Sequence, residues 1–261
     1  MQAIILAGGE RSAISGEREG IPKPMVEIGG RPLLWHMMKH FSAYGINDFI
    51  VCGGYKIETI KEYFMDFYIY ESDITVDLQK NTVEIHKKRT EDWRVTVVDT
   101  GLNTSPGGRV MAIEGYLTGE SFLVTYGDCL SDIDIAEMLA QHSESGKTAT
   151  VAMARPTGRK ELFAINKEGG LIRTVGEGAS GANAWVNANC YVLKREAFSY
   201  LRENGDIEKQ LLQALSRANE LSVYKHEGYW TAIETKRDFV EAERLWNQNT
   251  APWIKKDVLR V

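Results

Sequence analysis

Apolar runs alternate with amphipathic stretches along the N-terminal half of the chain. Residues 3–7, Ala-Ile-Ile-Leu-Ala, form a continuous apolar run of the kind found in parallel strands that are covered on both faces. From Leu33 to Phe41 the apolar residues instead recur at helical spacing, and Gly45 ends this segment. The same order returns over 48–64 and 121–142. This alternation predicts βαβ units, and therefore an α/β fold with a doubly wound, mostly parallel, Rossmann-like sheet.

The pattern changes twice farther along the chain. Between Asp73 and Asp99 its period becomes two, which predicts short strands at the edge of the sheet. Beyond Arg155 three segments are typical of antiparallel strands: 162–166, 171–175 and 189–193. We therefore expect a small antiparallel subdomain over about 155–235, folded onto the same sheet within a single domain of residues 1–246. A helix over 236–246 and a C-terminal tail over 247–261 complete the prediction.

The first predicted strand leads into a glycine pair, Gly8 and Gly9. Glycines at this place leave room for backbone amides to approach an anion closely. Lys23 follows between Pro22 and Pro24, whose rings fix φ and favour extended geometry in the residues before them, so the lysine is presented at low entropic cost. The layout predicts a phosphate-facing loop followed by a rigidly presented lysine.

Composition narrows the class of partners. The 261 residues carry a net charge of −5 without a basic footprint, so we expect neither nucleic acid nor a membrane as a partner. No apolar run approaches the roughly 20 residues of a membrane helix, and no signal peptide is evident. Cys52, Cys129 and Cys190 are too widely spaced for a metal-binding motif, and we expect buried thiols in a cytoplasmic protein.

For some residues the sequence permits both a structural and a functional role. His36 and His40, four apart on the first predicted helix, could ligate a metal, but no third ligand is apparent and packing is favoured. Asp128 could cap a turn or hold a ligand at the end of a strand. A run of aromatic residues favours core packing and a subunit interface over a base-stacking platform: Tyr63, Phe64, Phe67, Tyr68 and Tyr70.

Two common phosphate-binding motifs, GxxxxGK[ST] and GxGxxG, are absent from the sequence. Other segments match a known family in combination: Leu6-Ala7-Gly8-Gly9, Pro22 to Pro32, Gly54-Tyr55-Lys56, Val98 to Gly101, Gly107-Gly108-Arg109, Thr125 to Asp128 and Gly228-Tyr229-Trp230. On these segments the chain resembles, over nearly its full length, the sugar-1-phosphate nucleotidyltransferase family, and most closely its cytidylyltransferase branch.

The resemblance implies an enzyme that transfers a nucleotidyl group from CTP, or another nucleoside triphosphate, to a sugar 1-phosphate. Glucose 1-phosphate is the acceptor it implies first, with Mg²⁺ as the cofactor and pyrophosphate as the leaving group. The product would be a CDP-sugar for deoxysugars of surface polysaccharide. The family commonly assembles as oligomers, so the resemblance also implies a homo-oligomer.

The resemblance further implies roles for individual residues. Lys23 and Asp128 would be catalytic, and Asp128 and Glu234 would hold Mg²⁺. Glu177 and Asn187 would contact the sugar phosphate. The residues implied to bind the nucleotide are Leu6, Ala7, Gly8, Gly9, Arg11, Thr100, Gly101, Gly108 and Arg109.

The chain departs from the family pattern at three substrate contacts. Ala13 stands where the family has an arginine that clamps the triphosphate, Gly178 where it has a phosphate-binding lysine, and Glu234 where it has a metal-binding aspartate. Two other functions therefore stay open. One is a non-catalytic homologue that binds a nucleotide or sugar nucleotide, and the other is a nucleotidyltransferase with another phosphorylated acceptor.

Overall fold

The computed structural model describes residues 1–9, 20–88, 91–155, 162–165, 171–174 and 184–255. Its strands are β1 (Gln2–Leu6), β2 (Glu27–Ile28), β3 (Arg31–Pro32), β4 (Asp48–Gly53), β5 (Ser72–Asp77), β6 (Thr82–Lys88), β7 (Arg94–Asp99), β8 (Ser121–Tyr126), β9 (Cys129–Ser131), β10 (Ala149–Ala154), β11 (Leu162–Ile165), β12 (Leu171–Thr174), β13 (Val186–Lys194), β14 (Leu221–His226) and β15 (Trp230–Ala232).

The α-helices are α1 (Leu33–Ser42), α2 (Ile57–Tyr70), α3 (Pro106–Ala112), α4 (Ile135–Ser145), α5 (Gln213–Arg217) and α6 (Lys236–Asn247). The described residues also form short 3₁₀ segments at Lys23–Met25, Glu114–Tyr116 and Arg195–Tyr200. A single π-helical turn, Ile207–Leu212, leads directly into α5. Irregular turns of this kind occur often at functional sites.

Seven strands of the described residues form the central sheet, in the order β14-β10-β13-β8-β1-β4-β7. β8, β1, β4 and β7 run parallel to one another, β10 and β14 are also parallel, and β13 runs antiparallel between β10 and β8. The predicted mostly parallel α/β sheet is confirmed.

The two neighbours of β1 create a switch point in the strand order. Leu6, the last residue of β1, stands in register with Cys52 of β4 on one side and with Tyr126 of β8 on the other. Open α/β sheets form their ligand crevices where the chain changes sides in this way, at the carboxyl ends of the strands. The loops after β1, β4 and β8 therefore meet at one edge of the sheet.

Alternation along β1 shows that both faces of the sheet are covered. Ala3 and Ile5 belong to a core on the side of α1, α4 and α6, whereas Ile4 and Leu6 belong to a second core on the side of α3 and α5. Burial on two faces explains the continuous apolar run in the sequence. The predicted doubly wound arrangement is confirmed.

Three segments lie elsewhere than their patterns predicted. β5 and β6 pair only with each other among the described strands, and of the three strands predicted for the sheet edge only β7 joins the central sheet, at one of its two edges. A period of two identifies strands but not their partners. The strand predicted over 189–193 is antiparallel, as expected, but as β13 it lies within the central sheet itself, whereas β11 and β12 form a separate antiparallel pair. The predicted tail contains a buried tryptophan, Trp253, which packs beside α1.

The two helix histidines pack in the core, as favoured from the sequence. His36 Nε2 donates to the Ile28 carbonyl (2.9 Å) and His40 Nε2 to the Ile133 carbonyl (3.0 Å). Burial lowers the pKa of both imidazoles to about 4, so both are neutral at pH 7. Among the described residues, no group of three or more His, Cys, Asp or Glu side chains could hold a metal ion. No helix in this part of the chain is long and apolar enough to cross a membrane.

Candidate functional site

A cleft of about 670 Å³ opens at the switch point of the sheet. Its volume is in the range of small-molecule and cofactor sites. Seven residues that the sequence predicted for nucleotide binding or catalysis line it: Leu6, Ala7, Gly8, Gly9, Lys23, Arg109 and Asp128. The sequence assigned no role to several other lining residues: Tyr55, Asn103, Thr104, Pro106 and Tyr126. Their signal was their position directly after a strand or turn that the prediction did identify.

Arg109 is a buried cation beneath this cleft, with 4% of its surface exposed. Its Nη1 donates to the Gly53 carbonyl (3.0 Å) and to Thr100 Oγ1 (2.6 Å), and its Nη2 donates to the carbonyls of Gly8 (2.5 Å) and Leu102 (3.1 Å). Desolvation lowers the pKa of the guanidinium. The side chain therefore ties the loops after β1, β4 and β7 to one another, and its positive charge lies under the glycine pair.

Gly8 is required at its position by this arginine. An added Cβ would lie 2.0 Å from Arg109 Nη1, well inside van der Waals contact. At Gly9, by contrast, an added Cβ would meet none of the described residues within 4 Å. The glycine pair thus has one member that packs against Arg109 and one without a close neighbour in the described part of the chain.

Three residues predicted to bind the nucleotide do not line the cleft. Thr100 is buried, and its Oγ1 donates to the Gly53 carbonyl while it accepts from Arg109. Gly101 turns the chain after β7 with φ of +89°, which glycine adopts readily. Gly108 lies within α3, where an added Cβ would be 2.3 Å from the Glu203 carbonyl oxygen. Thr100 and Gly108 are buried and pack within the loops around the cleft, whereas Gly101 is exposed at a turn.

Lys23 and Asp128 face each other across the cleft. Lys23 Nζ lies 2.7 Å from Asp128 Oδ2, and both side chains are partly exposed. The 3₁₀ turn that begins at Lys23 carries the lysine, and Asp128 follows β8. Pro24 packs against Gly127, where an added Cβ would lie 2.7 Å from the proline ring. The structure thus brings together the two residues that the resemblance implied to be catalytic, 105 positions apart in the chain.

A second cleft, of about 400 Å³, adjoins the first. The two share Pro106, Tyr126 and Asp128 as lining residues. The second also contains Asn187, which the sequence predicted for the sugar phosphate, and Glu234, which it predicted for the metal. It contains two carboxylates that sequence reasoning did not identify, Asp206 and Glu208. Two ligands bound side by side would meet at Asp128.

The strand pair β9–β15 explains why Asp128 and Glu234 line the same cleft. Cys129 stands opposite Ala232 in this antiparallel pair, and the Ile233 amide donates to the Asp128 carbonyl (2.8 Å). Two protein carboxylates fit the way Mg²⁺ is usually held, because this ion takes one or two carboxylates and fills its other positions with water and substrate phosphates. These two side chains therefore suit a metal that arrives with a nucleotide.

Two predicted contacts, Arg11 and Glu177, lie outside the described residues. The departures at Ala13 and Gly178 lie outside them as well. Their roles remain predictions from the resemblance.

The arrangement suits the transfer of a phosphate-linked group between ligands held in neighbouring clefts. The chain belongs to the nucleotidyl transferase family, whose sequence profile matches residues 2–249. Enzymes of this family generally use a divalent metal ion. The family membership expected from the sequence is confirmed.

Within that family, glucose-1-phosphate cytidylyltransferases are among the relatives of this chain. It is 41% identical to the glucose-1-phosphate cytidylyltransferase of Salmonella typhi over 97% of this chain and 98% of that protein. It is 36% identical to the probable glucose-1-phosphate cytidylyltransferase of Bacillus subtilis, over 97% of this chain and 99% of the relative. The crystal structure of HddC from Yersinia pseudotuberculosis with GMP-PN has the same fold, with a TM-score of 0.69 at 19% identity, over 94% of this chain and 99% of that one.

Proposed function

We propose that this protein transfers the cytidylyl group of CTP to glucose 1-phosphate, forming CDP-glucose and pyrophosphate. The similarity to glucose-1-phosphate cytidylyltransferases, at 41% identity over nearly the full length of both chains, carries this proposal. The two adjoining clefts support it, because the reaction needs a nucleotide and an acceptor to meet at one phosphorus atom. The larger cleft would take CTP and the smaller one glucose 1-phosphate.

The chemistry is a substitution at the α-phosphorus of CTP. A phosphate oxygen of glucose 1-phosphate forms the new P–O bond, and the bond to the bridging oxygen of the β-phosphate breaks, so that pyrophosphate leaves with that electron pair. The protein contributes position and charge rather than a covalent intermediate. Lys23 would donate to the α-phosphate oxygens, where negative charge accumulates. The backbone at Gly8 and Gly9 would support the triphosphate above the buried charge of Arg109.

Asp128 has two functions in this scheme. Its Oδ2 lies 2.7 Å from Lys23 Nζ and holds this lysine at the junction of the clefts. With Glu234 it would hold Mg²⁺, which, when bound, neutralises phosphate charge and orients the triphosphate. We place the reaction in the cytoplasm, because Cys52, Cys129 and Cys190 are all buried thiols and a reducing compartment preserves them.

Pyrophosphate release measured with CTP, Mg²⁺ and glucose 1-phosphate tests the proposal. We expect turnover that Lys23→Ala lowers by at least about 100-fold, because a charge-assisted contact to the reacting phosphate is lost. Lys61→Ala, at an exposed position on α2, serves as the matched control and should retain activity. Calorimetric binding of CTP without pyrophosphate release would instead favour a non-catalytic homologue. Turnover with a different phosphorylated acceptor alone would favour a transferase of changed specificity.

We also propose that the protein forms a homo-oligomer through α2 and the β5–β6 hairpin. Of the twelve large apolar side chains that are exposed in the described part of the chain, seven lie between residues 65 and 83: Met65, Tyr68, Tyr70, Ile74, Val76, Leu78 and Val83. Exposed apolar patches of this kind mark interaction sites. Among the described strands, neither outer edge of the hairpin has a partner, so the equivalent hairpin of a second copy can pair there.

A further inference from the structure

The smaller cleft contains two carboxylates that neither the motifs nor the metal assignment uses, Asp206 and Glu208. Both come from the start of the π-helical turn, but their surroundings differ. Asp206 Oδ1 accepts from the Lys209 amide (3.0 Å) and caps the turn. Glu208 instead meets a side chain from the central sheet, Asn187 of β13. Glu208 is therefore the carboxylate whose direction is set from across the cleft.

Asn187 is fully engaged within the protein. It is buried, and its Nδ2 donates to Glu208 Oε1 (2.6 Å) and to Tyr191 Oη (2.6 Å). Its Oδ1 accepts from the Asn189 amide (2.9 Å). An amide NH₂ group has two donor hydrogens, and these two contacts use both of them. Asn187 thus orients Glu208 and has no donor left for a sugar.

The backbone supports this arrangement. Asn189 adopts φ of +55°, in the left-handed region, and its own amide is the donor that fixes Asn187 Oδ1. Tyr191 is buried beneath the pair, and desolvation raises the pKa of its phenol, which keeps the hydroxyl protonated. The network is therefore anchored on β13, within the central sheet.

We propose that Glu208 binds a ring hydroxyl of the acceptor sugar and discriminates between acceptors, with Asn187 as the residue that positions it. The inference rests on the proposed function, in that the smaller cleft takes the sugar phosphate. A carboxylate is an acceptor-only group that suits a hydroxyl donor, and a site built to bind a substrate hydroxyl rejects an analogue that lacks it. Glu208 lies in the cleft that contains Asp128 and Glu234, so the contact would fix the sugar relative to the reacting phosphate.

The experiment compares the wild-type protein with Glu208→Gln, which keeps an oxygen for Asn187 and removes the charge. Pyrophosphate release is measured with glucose 1-phosphate and with its 2-, 3-, 4- and 6-deoxy analogues, at saturating CTP. We expect Glu208→Gln to raise KM for glucose 1-phosphate roughly 10- to 100-fold, the loss of one hydrogen bond to a charged group, with KM for CTP unchanged. With the wild-type protein, one deoxy analogue should have a higher KM than glucose 1-phosphate. This difference in KM should disappear in Glu208→Gln.

Asn187→Ala tests the positioning role. It should change the discrimination between glucose 1-phosphate and its deoxy analogues as much as Glu208→Gln does. The KM of the double variant should be no higher than that of either single variant, because the effects of residues that act as a unit are not additive. Glu203→Gln is the matched control, since this exposed glutamate precedes the same turn outside the cleft, and its kinetic constants should match the wild type. The proposal would be overturned if, for every deoxy analogue, the increase in KM relative to glucose 1-phosphate were the same in the wild type and in Glu208→Gln.

Failure of the proposed function is distinguishable from failure of this inference. If the wild-type protein releases no pyrophosphate with any sugar 1-phosphate, the proposed function is wrong. Calorimetry with glucose 1-phosphate then tests Glu208 directly. Affinity at least 10-fold weaker in Glu208→Gln than in wild type supports its role, whereas equal affinity, or no binding to the wild type, overturns it.

Discussion

At the scale of single residues, the site depends on a few atoms whose neighbours the sequence could not show. Lys23 and Asp128 could be predicted from motifs that follow buried strands, and the structure brings them to 2.7 Å. Arg109 was predicted to bind the nucleotide, but all four of its described hydrogen bonds go to loop carbonyls and Thr100. Glu208 was not predicted, because its partner Asn187 lies 21 positions away on another element. Local pattern identifies strand ends, not which side chains meet across a cleft.

The two adjacent glycines give a prediction about stability. Gly8→Ala places a Cβ 2.0 Å from Arg109 Nη1, so the arginine must leave the Gly8 and Gly53 carbonyls. We expect a loss of about 2–4 kcal/mol in the free energy of unfolding, since buried hydrogen bonds to a charged group are broken. Gly9→Ala, which meets none of the described residues within 4 Å, should change it by less than about 0.5 kcal/mol. Urea denaturation of both variants checks this. Equal losses in the free energy of unfolding would contradict the role of Arg109 in holding these loops.

At the scale of elements, strands and helices followed from the sequence, whereas their pairing did not. The run at β1 and the helical spacing of the apolar residues in α1 were both recognisable, although α1 is buried on all sides from Leu33 to Phe41. β5 and β6 are neighbours in the chain and pair as a hairpin, but the pattern did not show that this hairpin stays outside the central sheet. The pairing of β13 with β8 and β10 depends on contacts between distant segments. The segment after α6 was predicted as a tail, yet Trp253 is 1% exposed. Its indole Nε1 donates to Nδ1 of His36 on α1 (3.2 Å).

This contact between α1 and the C-terminal segment predicts a pH dependence. His36 is neutral in the folded state, because burial lowers its pKa to about 4 from the ordinary value of 6.5. Between those two pH values the unfolded chain binds more protons than the folded one, so stability falls as pH decreases from 6.5 to 4. The contribution of His36 is of order 3 kcal/mol across this window. Protonation would also place a proton on Nδ1, the atom that accepts from Trp253.

Denaturation midpoints measured from pH 7 to pH 4 test this dependence. His36→Gln retains an amide donor for the Ile28 carbonyl and removes the titrating group, so its stability should fall less steeply with decreasing pH. His40 and His142, whose pKa values burial also lowers to about 4, contribute the remaining slope in both proteins. His86→Gln, at an exposed position on β6, is the control and should follow the wild type. An unchanged slope in His36→Gln would contradict the assignment.

At the scale of the whole molecule, the exposed apolar side chains are concentrated away from both clefts. Ile74 stands opposite Ile85, and Val76 opposite Val83, so these four side chains share one face of the β5–β6 hairpin. A two-stranded hairpin with one apolar face has marginal stability in water on its own. Cover by a second copy would bury this face together with the exposed aromatic residues of α2. The sequence suggested this interface through its aromatic run, but the hairpin face emerges only from the strand register.

The oligomer is tested by substituting one residue on each face of β5. Val76→Lys places a charge on the apolar face, where burial without a partner is costly, and should shift the protein from oligomer to monomer. Thr75→Lys adds the same side chain to the same strand on the opposite face, and its assembly should match the wild type. Sedimentation velocity over a concentration series measures both. A monomeric wild type, or equal effects of the two substitutions, would exclude the hairpin face as the interface. Because neither residue lines a cleft, binding of CTP by the Val76→Lys monomer would also show whether each chain contains a complete nucleotide site.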